Sequence, residues 1–364
     1  MLNGVGVWEA EVAGKVVSEP GGPAELPDGL ARRLHAPLRD SELVEIARLR
    51  EGTSEVAMLE GQHVMRTYGD LGEALDDSLE APALARPAKG APAIDHVRAY
   101  LGQQLAEIER TDPIVRSVDD EEALHDFRVA VRRSRAVLRT ACELFEPEWL
   151  SSLRAELKWL GGELAPVRDL DVLLAHVRDG AGADVAPVVK ALVAERRRAR
   201  KKLTAALASA RYFALLDELV GAVDHPPVRA IDLSLPKLAA AEFIRLRRRV
   251  AALGARPTDD ALHRSRIAAK RARYAAELAE PIAGKSARKF VAAAKAFQDV
   301  IGAHQDAVTA AARVRAINAA SDNAATAFAA GRIVERQEVR RATARAAVPK
   351  AWRRLERRGC KAWC

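Results

Sequence analysis

The strongest constraint in this chain is a repeat. His125–Arg139 reads HDFRVAVRRSRAVLR and His263–Glu277 reads HRSRIAAKRARYAAE. A shift of 138 residues lays Leu124-His125 on Leu262-His263, Arg128 on Arg266, Val129 on Ile267, Arg132 on Lys270, Arg133 on Arg271 and Arg135 on Arg273. A shift of 137 lays Lys158 on Lys295 and Asp169 on Asp306. Each half then closes on a basic run, ERRRARKKL in one and RRATARAAVPKAWRRLERR in the other. A supersecondary unit repeated at fixed spacing defines an architecture before any single element is placed. Here it predicts one helical bundle, duplicated.

The repeated stretch has an unusual polar face. On a wheel of about 100° per residue, His125, Arg128, Arg132, Arg135 and Arg139 fall within about 80° of one another. Phe127, Ala130, Val131, Leu138 and Ala141 fall opposite. The second copy repeats the stripe with His263, Arg266, Lys270 and Arg273. Like charges one turn apart destabilise a helix, so solvated faces are usually mixed in sign. Asp126 is the only acid from 125 to 142. A nearly pure cationic stripe, made twice, calls for an anion lying against both. Arg128 to Arg139 spans about 16 Å of helix, a length that suits an extended polyanion better than one phosphate. Arginine predominates, and its guanidinium forms bidentate bonds to phosphate oxygens. A protonated histidine at the head of each stripe adds two donors.

Charge is divided along the chain. The total of +8 splits into −7 over residues 1–90 and +15 over 91–364. Residues 1–85 carry short alternating runs, VWEAEVAG, LVEIARLR, SEVAMLEG and HVMRTYGD, which read as strands and turns around a short helix at LARRLHAPL. The Pro- and Ala-rich segment APALARPAKGAPA, residues 81–93, reads as a linker, with the boundary drawn at 86–93. From Ile94 the apolar period becomes 3.6. Helices are predicted at 93–110, 119–145, 148–179, 184–209, 211–223, 236–253, 259–280, 284–318 and, with a break, 321–358. Ser117, Asp119 and Thr258 stand as start signals, and acids follow them in the first turns. The fold class is mostly all-α behind a small partial α+β segment, with repeat halves at about 94–224 and 236–358.

Other chemistries find little support. Cys142, Cys360 and Cys364 make an odd count, one of them in an apolar helical pattern, which points to a reducing compartment rather than a disulfide framework. No run approaches 18 apolar residues and no secretory leader opens the sequence. The stretch has no Gly-rich phosphate loop with its lysine, no GxSxG and no HExxH. A metal site at His125-Asp126 fails in the second copy, where Arg264 replaces the acid. No catalytic residue, metal ligand or cofactor is expected. Asp169 and Asp306 are expected to pair with basic helices, since arginines around an acid lower its pKa and make it a poor base. Gly161-Gly162 and Gly302, just before these acids, are read as equivalent small positions where helices approach closely. Nucleic acid remains the alternative anionic partner, although only Tyr274 interrupts the ladders, and single strands are read on aromatic platforms. A membrane partner is not expected, because these helices lack flanking exposed aromatics.

LHDFRVAVRRSRAVLR and LHRSRIAAKRARYAAE resemble the signature of the CHAD family, the conserved histidine α-helical domain. RDLDVLL after the first copy and IGAHQDAVTA after the second resemble the same family, over about residues 93–358. The resemblance implies two pseudo-symmetric four-helix bundles that bind inorganic polyphosphate in a basic groove, without catalysis, in the cytoplasm and in association with polyphosphate granules. Position by position, the implied ligands are His125, Arg128, Arg132, Arg133, Arg135, His263, Arg266, Lys270, Arg271 and Arg273. Arg133 and Arg271 lie off the main stripe of the wheel. Arg139, Lys158, Arg196, Arg200, Lys295, Arg336 and Arg340 form a secondary basic set. Residues 1–85 resemble the later part of a CYTH domain, the triphosphate tunnel fold. WEAEVAGK lacks the lysine of that family's ExExK strand, so any phosphohydrolase activity is expected to be lost. A triphosphatase, or a partner of one, is the alternative this segment raises.

Overall fold

The structure is a computed structural model and describes residues 87–178, 185–319 and 323–364, together with the backbone of four short strands. The strands are β1 (Leu2–Asn3), β2 (Val7–Val12), β3 (Lys15–Pro20) and β4 (Ser54–Glu55). They pair antiparallel in the order β3-β2-β1-β4. The alternating run VWEAEV forms β2, as its period of two dictates. The strands expected at LVEIARLR and HVMRTYGD, and the helix at LARRLHAPL, lie outside the described residues.

Nine α-helices follow among the described residues. The first half holds α1 (Ala93–Ser117), α2 (Glu121–Thr140), α3 (Pro147–Arg178), α4 (Ala186–Leu207) and α5 (Ala210–Asp224). The second holds α6 (Leu235–Ala251), α7 (Asp259–Ala283), α8 (Lys285–Ala319) and α9 (Ala324–Trp363). The correspondence runs α1 to α6, α2 to α7, α3 to α8, and α4 plus α5 to α9. Ser209, whose hydroxyl accepts from the Tyr212 amide, starts a new helix in the first half. In the second half α9 continues unbroken through Pro349, so the break expected within 321–358 is absent from Ala324 onward. The helix expected to end at 110 runs on through Pro113 to Ser117. The one expected over 119–145 stops at Thr140, followed by a 3-10 turn at Cys142–Leu144.

Caps set the registers of the two signature helices. The Asp120 carboxylate accepts from the amides of Glu122 and Ala123 at the head of α2. The Thr258 hydroxyl accepts from the Ala261 amide at the head of α7. Such caps satisfy amides that would otherwise lack partners. Asp119, a start signal in the sequence, is committed elsewhere and leaves the capping to Asp120. Gly284, at φ +67°, ends α7 and lets α8 begin at the next residue.

Each half has its own core, and a third cluster of Leu170, Leu174, Val188, Leu192, Ala310, Val314 and Ile333 joins the far ends of both. α7 is buried on two sides. Ala269, Ala272 and Ala276 face the second core, whereas Ala275, Leu278 and Ala279 belong to the first. Small side chains permit that close double packing, which accounts for the alanine-rich sequence of α7.

Candidate anion-binding groove

α2 buries Phe127, Ala130, Val131 and Leu138 and turns its cationic stripe outward, as the wheel requires. α7 packs against α2, so tertiary contact brings the two stripes side by side. Between them and α3 runs a groove of about 630 Å³. Its walls carry Arg132, Arg135 and Arg139 of α2, Arg154 and Lys158 of α3, and Lys270 of α7, with Ile267 and Tyr274 beside them. Among the described residues, six cations and no carboxylate line it.

The electrostatics follow from that lining. Burial, and then the charges of Arg266, Arg132, Arg128 and Arg273, push Lys270 down to a pKa of about 7. Burial lowers Arg135, with Arg154 adding to it, and lowers Arg139, where Arg271 is the next contributor. These guanidiniums stay charged at any physiological pH. The groove therefore holds positive charge at close quarters, and an anion entering it relieves both the desolvation and the repulsion.

One turn before Arg132 and Lys270 stand Arg128 and Arg266. Both are lowered by burial first, and each is supported by an acid: Asp169 accepts from Arg128 at 3.3 Å, and Asp306 acts on Arg266. Burial raises the Asp306 carboxyl, which Arg266 and His176 partly offset. The expected pairing is present in the first half as the Arg128–Asp169 ion pair; in the second half Asp306 lies only within reach of the Arg266 charge, and burial raises its carboxyl where surrounding arginines were expected to lower it. His125 is exposed at the head of α2, its pKa lowered by burial and by Arg168. His263 is half-buried at the head of α7.

The glycines need a correction. Gly161 lies against Arg135, where a Cβ would stand 3.4 Å from Nη1, and Gly302 lies against Arg266, where it would stand 3.6 Å from Nε. Under the 137-residue shift Gly161 matches Gln298, and Gly302 matches Ala165. The two glycines are not equivalent; each makes room for a different rung.

Several residues of the expected set lie away from the groove. Arg273 is 9% exposed, pairs with Glu277 at 3.1 Å and stacks on the Tyr274 ring at 4.8 Å. Arg133 faces the same Glu277 at 3.8 Å, which also accepts from the Tyr100 hydroxyl at 2.9 Å. Arg271 lines a second depression with Arg139, Lys237 and Glu242. Arg196 binds Asp119 and Asp171, and Arg200 donates to the Val115 and Val118 carbonyls at the end of α1. Lys295 is exposed on α8, and Arg336 and Arg340 lie on α9, none of them on the groove wall.

Two features escaped the sequence reading. Arg154 lines the groove one turn before Lys158, and that four-residue spacing was the available signal. A clamp recurs as well. Arg341 and Arg345 of α9 bind Asp259 at the head of α7, and Arg345 donates to the Pro257 carbonyl, as Arg196 and Arg200 hold the head of α2. The clamp falls at a shift of 145 rather than 138, so the dominant register hides it.

The family model described as the CHAD domain matches residues 99–315. Two uncharacterized proteins of Mycobacterium tuberculosis, from strains CDC 1551 / Oshkosh and ATCC 25618 / H37Rv, are each 31% identical over 237 residues, covering 60% of this chain and 44% of their own. The chain thus spans less than half the length of these curated relatives. Among solved structures, PptA from Streptomyces chartreusis aligns with a TM-score of 0.61 and 27% identity, over 72% of this chain and 100% of that one. The CHAD domain from the plant Ricinus communis aligns with a TM-score of 0.61 and 27% identity, over 76% and 96%. The triphosphate-tunnel resemblance of residues 1–85 gains no support from these matches. Among the described residues, no helix is long and apolar enough to cross a membrane.

Proposed function

The chain belongs to the CHAD domain family, and from that premise we propose that it binds inorganic polyphosphate along the groove between α2, α3 and α7, without making or breaking a bond. One observation carries the proposal: six cations from three helices line one cavity that, among the described residues, no carboxylate enters. Arginine forks and two ammonium groups then neutralise successive phosphates through charge-assisted hydrogen bonds. The family resemblance supplies the identity of the anion; the lining supplies a reason for length, since Arg132 to Arg139 alone span about 10 Å of α2, more than one phosphate covers.

A nucleic-acid reading is weaker on the same wall. Its one aromatic, Tyr274, is 4% exposed and offers no face on which a base could stack. Titration with long-chain polyphosphate at two salt concentrations, against single-stranded RNA of equal charge, decides between them. Six contacts predict a slope of log affinity against log salt of about −4, with RNA binding far weaker. Equal binding of both polymers would reduce the groove to a general cationic surface and refute the proposal.

A further inference from the structure

Lys270 differs from the other cations of the groove. It is a half-buried amine on the wall of an open cavity, and no ion pair or hydrogen bond holds its ammonium among the described residues. It is faced by Arg128 and Arg132 from α2, by Arg266 and Arg273 from its own helix, and by Asp306 from α8. One turn on, the Tyr274 hydroxyl is buried with no hydrogen-bond partner. A lysine placed in this way is reachable, free of a fixed partner and surrounded by groups that gather phosphate-bearing anions.

We propose that Lys270 is a covalent modification site for acyl phosphates, and that its acylation weakens the groove's hold on polyphosphate. The amine attacks the acyl carbon and a C–N bond forms. The C–O bond to phosphate breaks, and inorganic phosphate leaves with the electron pair and takes up the amine proton. The product is an amide, so the groove loses one positive charge. The surrounding arginines serve both parts of the step: they concentrate the donor by its phosphate, and they add to burial in disfavouring the protonated amine. At pH 7 about half of an amine with a pKa of about 7 is unprotonated, against roughly one in three thousand for an ordinary lysine. Part of that advantage is lost because nucleophilicity falls with pKa, leaving about thirtyfold. The proposal rests on the reading of this groove as a site for phosphate-bearing anions.

The test is incubation of the full chain with acetyl phosphate at pH 7, followed by peptide mass spectrometry at Lys270, Lys158 and Lys295. Acylation of Lys270 about thirtyfold faster than of exposed Lys295, with the advantage gone at pH 10, is the expected result. Equal rates at the two lysines overturn the inference, whatever the affinity for polyphosphate. An uncharged N-hydroxysuccinimide ester should show a smaller preference for Lys270; an equal or larger one overturns the role of anion capture. Saturating polyphosphate should protect Lys270 and leave Lys295 unchanged. If selectivity holds but polyphosphate gives no protection, the modification stands and the polyphosphate reading falls. Lys270→Gln, which mimics the amide, should bind polyphosphate about tenfold more weakly; unchanged binding removes the regulatory half of the proposal.

Discussion

Position 139 in α2 and position 277 in α7 are the same rung of the repeat, yet one is arginine and the other glutamate. Arg139 extends the cationic wall of the groove. Glu277 gathers Arg133, Arg273 and Tyr100 around itself. The difference passes to the next rung. Arg135 lies in the groove beside Gly161. At the place matching Gly161 stands Gln298, which donates to the Ala269 carbonyl at 3.0 Å, and Arg273 turns away to Glu277. The first half therefore provides the ladder. The second provides one titrating amine and an ion-paired seam between the bundles. Duplicated sequence has produced a divided site, because a single acid redirects two arginines.

The largest test of this comparison removes one rung from each half. Arg132→Glu with Lys270→Glu should weaken polyphosphate binding by more than about 100-fold, with the helical circular dichroism retained. Near-native affinity would place the ligand elsewhere.

Next in size is the split at the shared rung. Glu277→Gln leaves Arg273 buried without its partner and should cost about 3 kcal/mol of stability, read from urea denaturation. Arg139→Gln should change stability by less than about 0.5 kcal/mol and weaken binding about tenfold. The same profile from both variants would mean that the two positions have one role.

A glycine pair sharpens the contrast in packing. Gly221 and Gly359 match at a shift of 138. A Cβ at Gly359 would overlap the ring of buried Phe243, whereas Gly221 has open space. Gly359→Ala should therefore cost about 2 kcal/mol through overpacking. Gly221→Ala should add about 0.5–1 kcal/mol by relieving the entropy cost of glycine in a helix. Thermal melts of the two variants decide.

A further effect is in pH. In the empty protein Lys270 gives up its proton near pH 7; an anion in the groove holds that proton on. Binding then takes up a proton above pH 7 and weakens as pH rises, by about tenfold between pH 6 and pH 8. Burial and neighbouring cations already keep His125 low, so Lys270→Arg should remove most of the dependence. A pH profile unchanged in that variant would assign the proton to another group.

Much of this was legible in the residues. The stripe of α2, its buried opposite face and the off-stripe position of Arg133 all follow from helical period. The pairing of Asp169 with Arg128 follows from the attraction of opposite charges one repeat supplies twice. Arg196 and Arg200 enter the secondary basic set because a basic run looks alike whether it faces an anion or a helix end. Their commitment to Asp119 and to the carbonyls of α1 depends on how α4 docks, which no local pattern encodes.

The sequence by itself determined that the chain is a duplicated helical bundle with a cationic stripe in each copy, since periodicity and charge are properties of neighbours along one helix. Only the tertiary structure decided which rungs share a cavity. Which carboxylate reaches a guanidinium first is settled by distances between helices, and a long, flexible side chain follows the nearest charge rather than its place in the repeat.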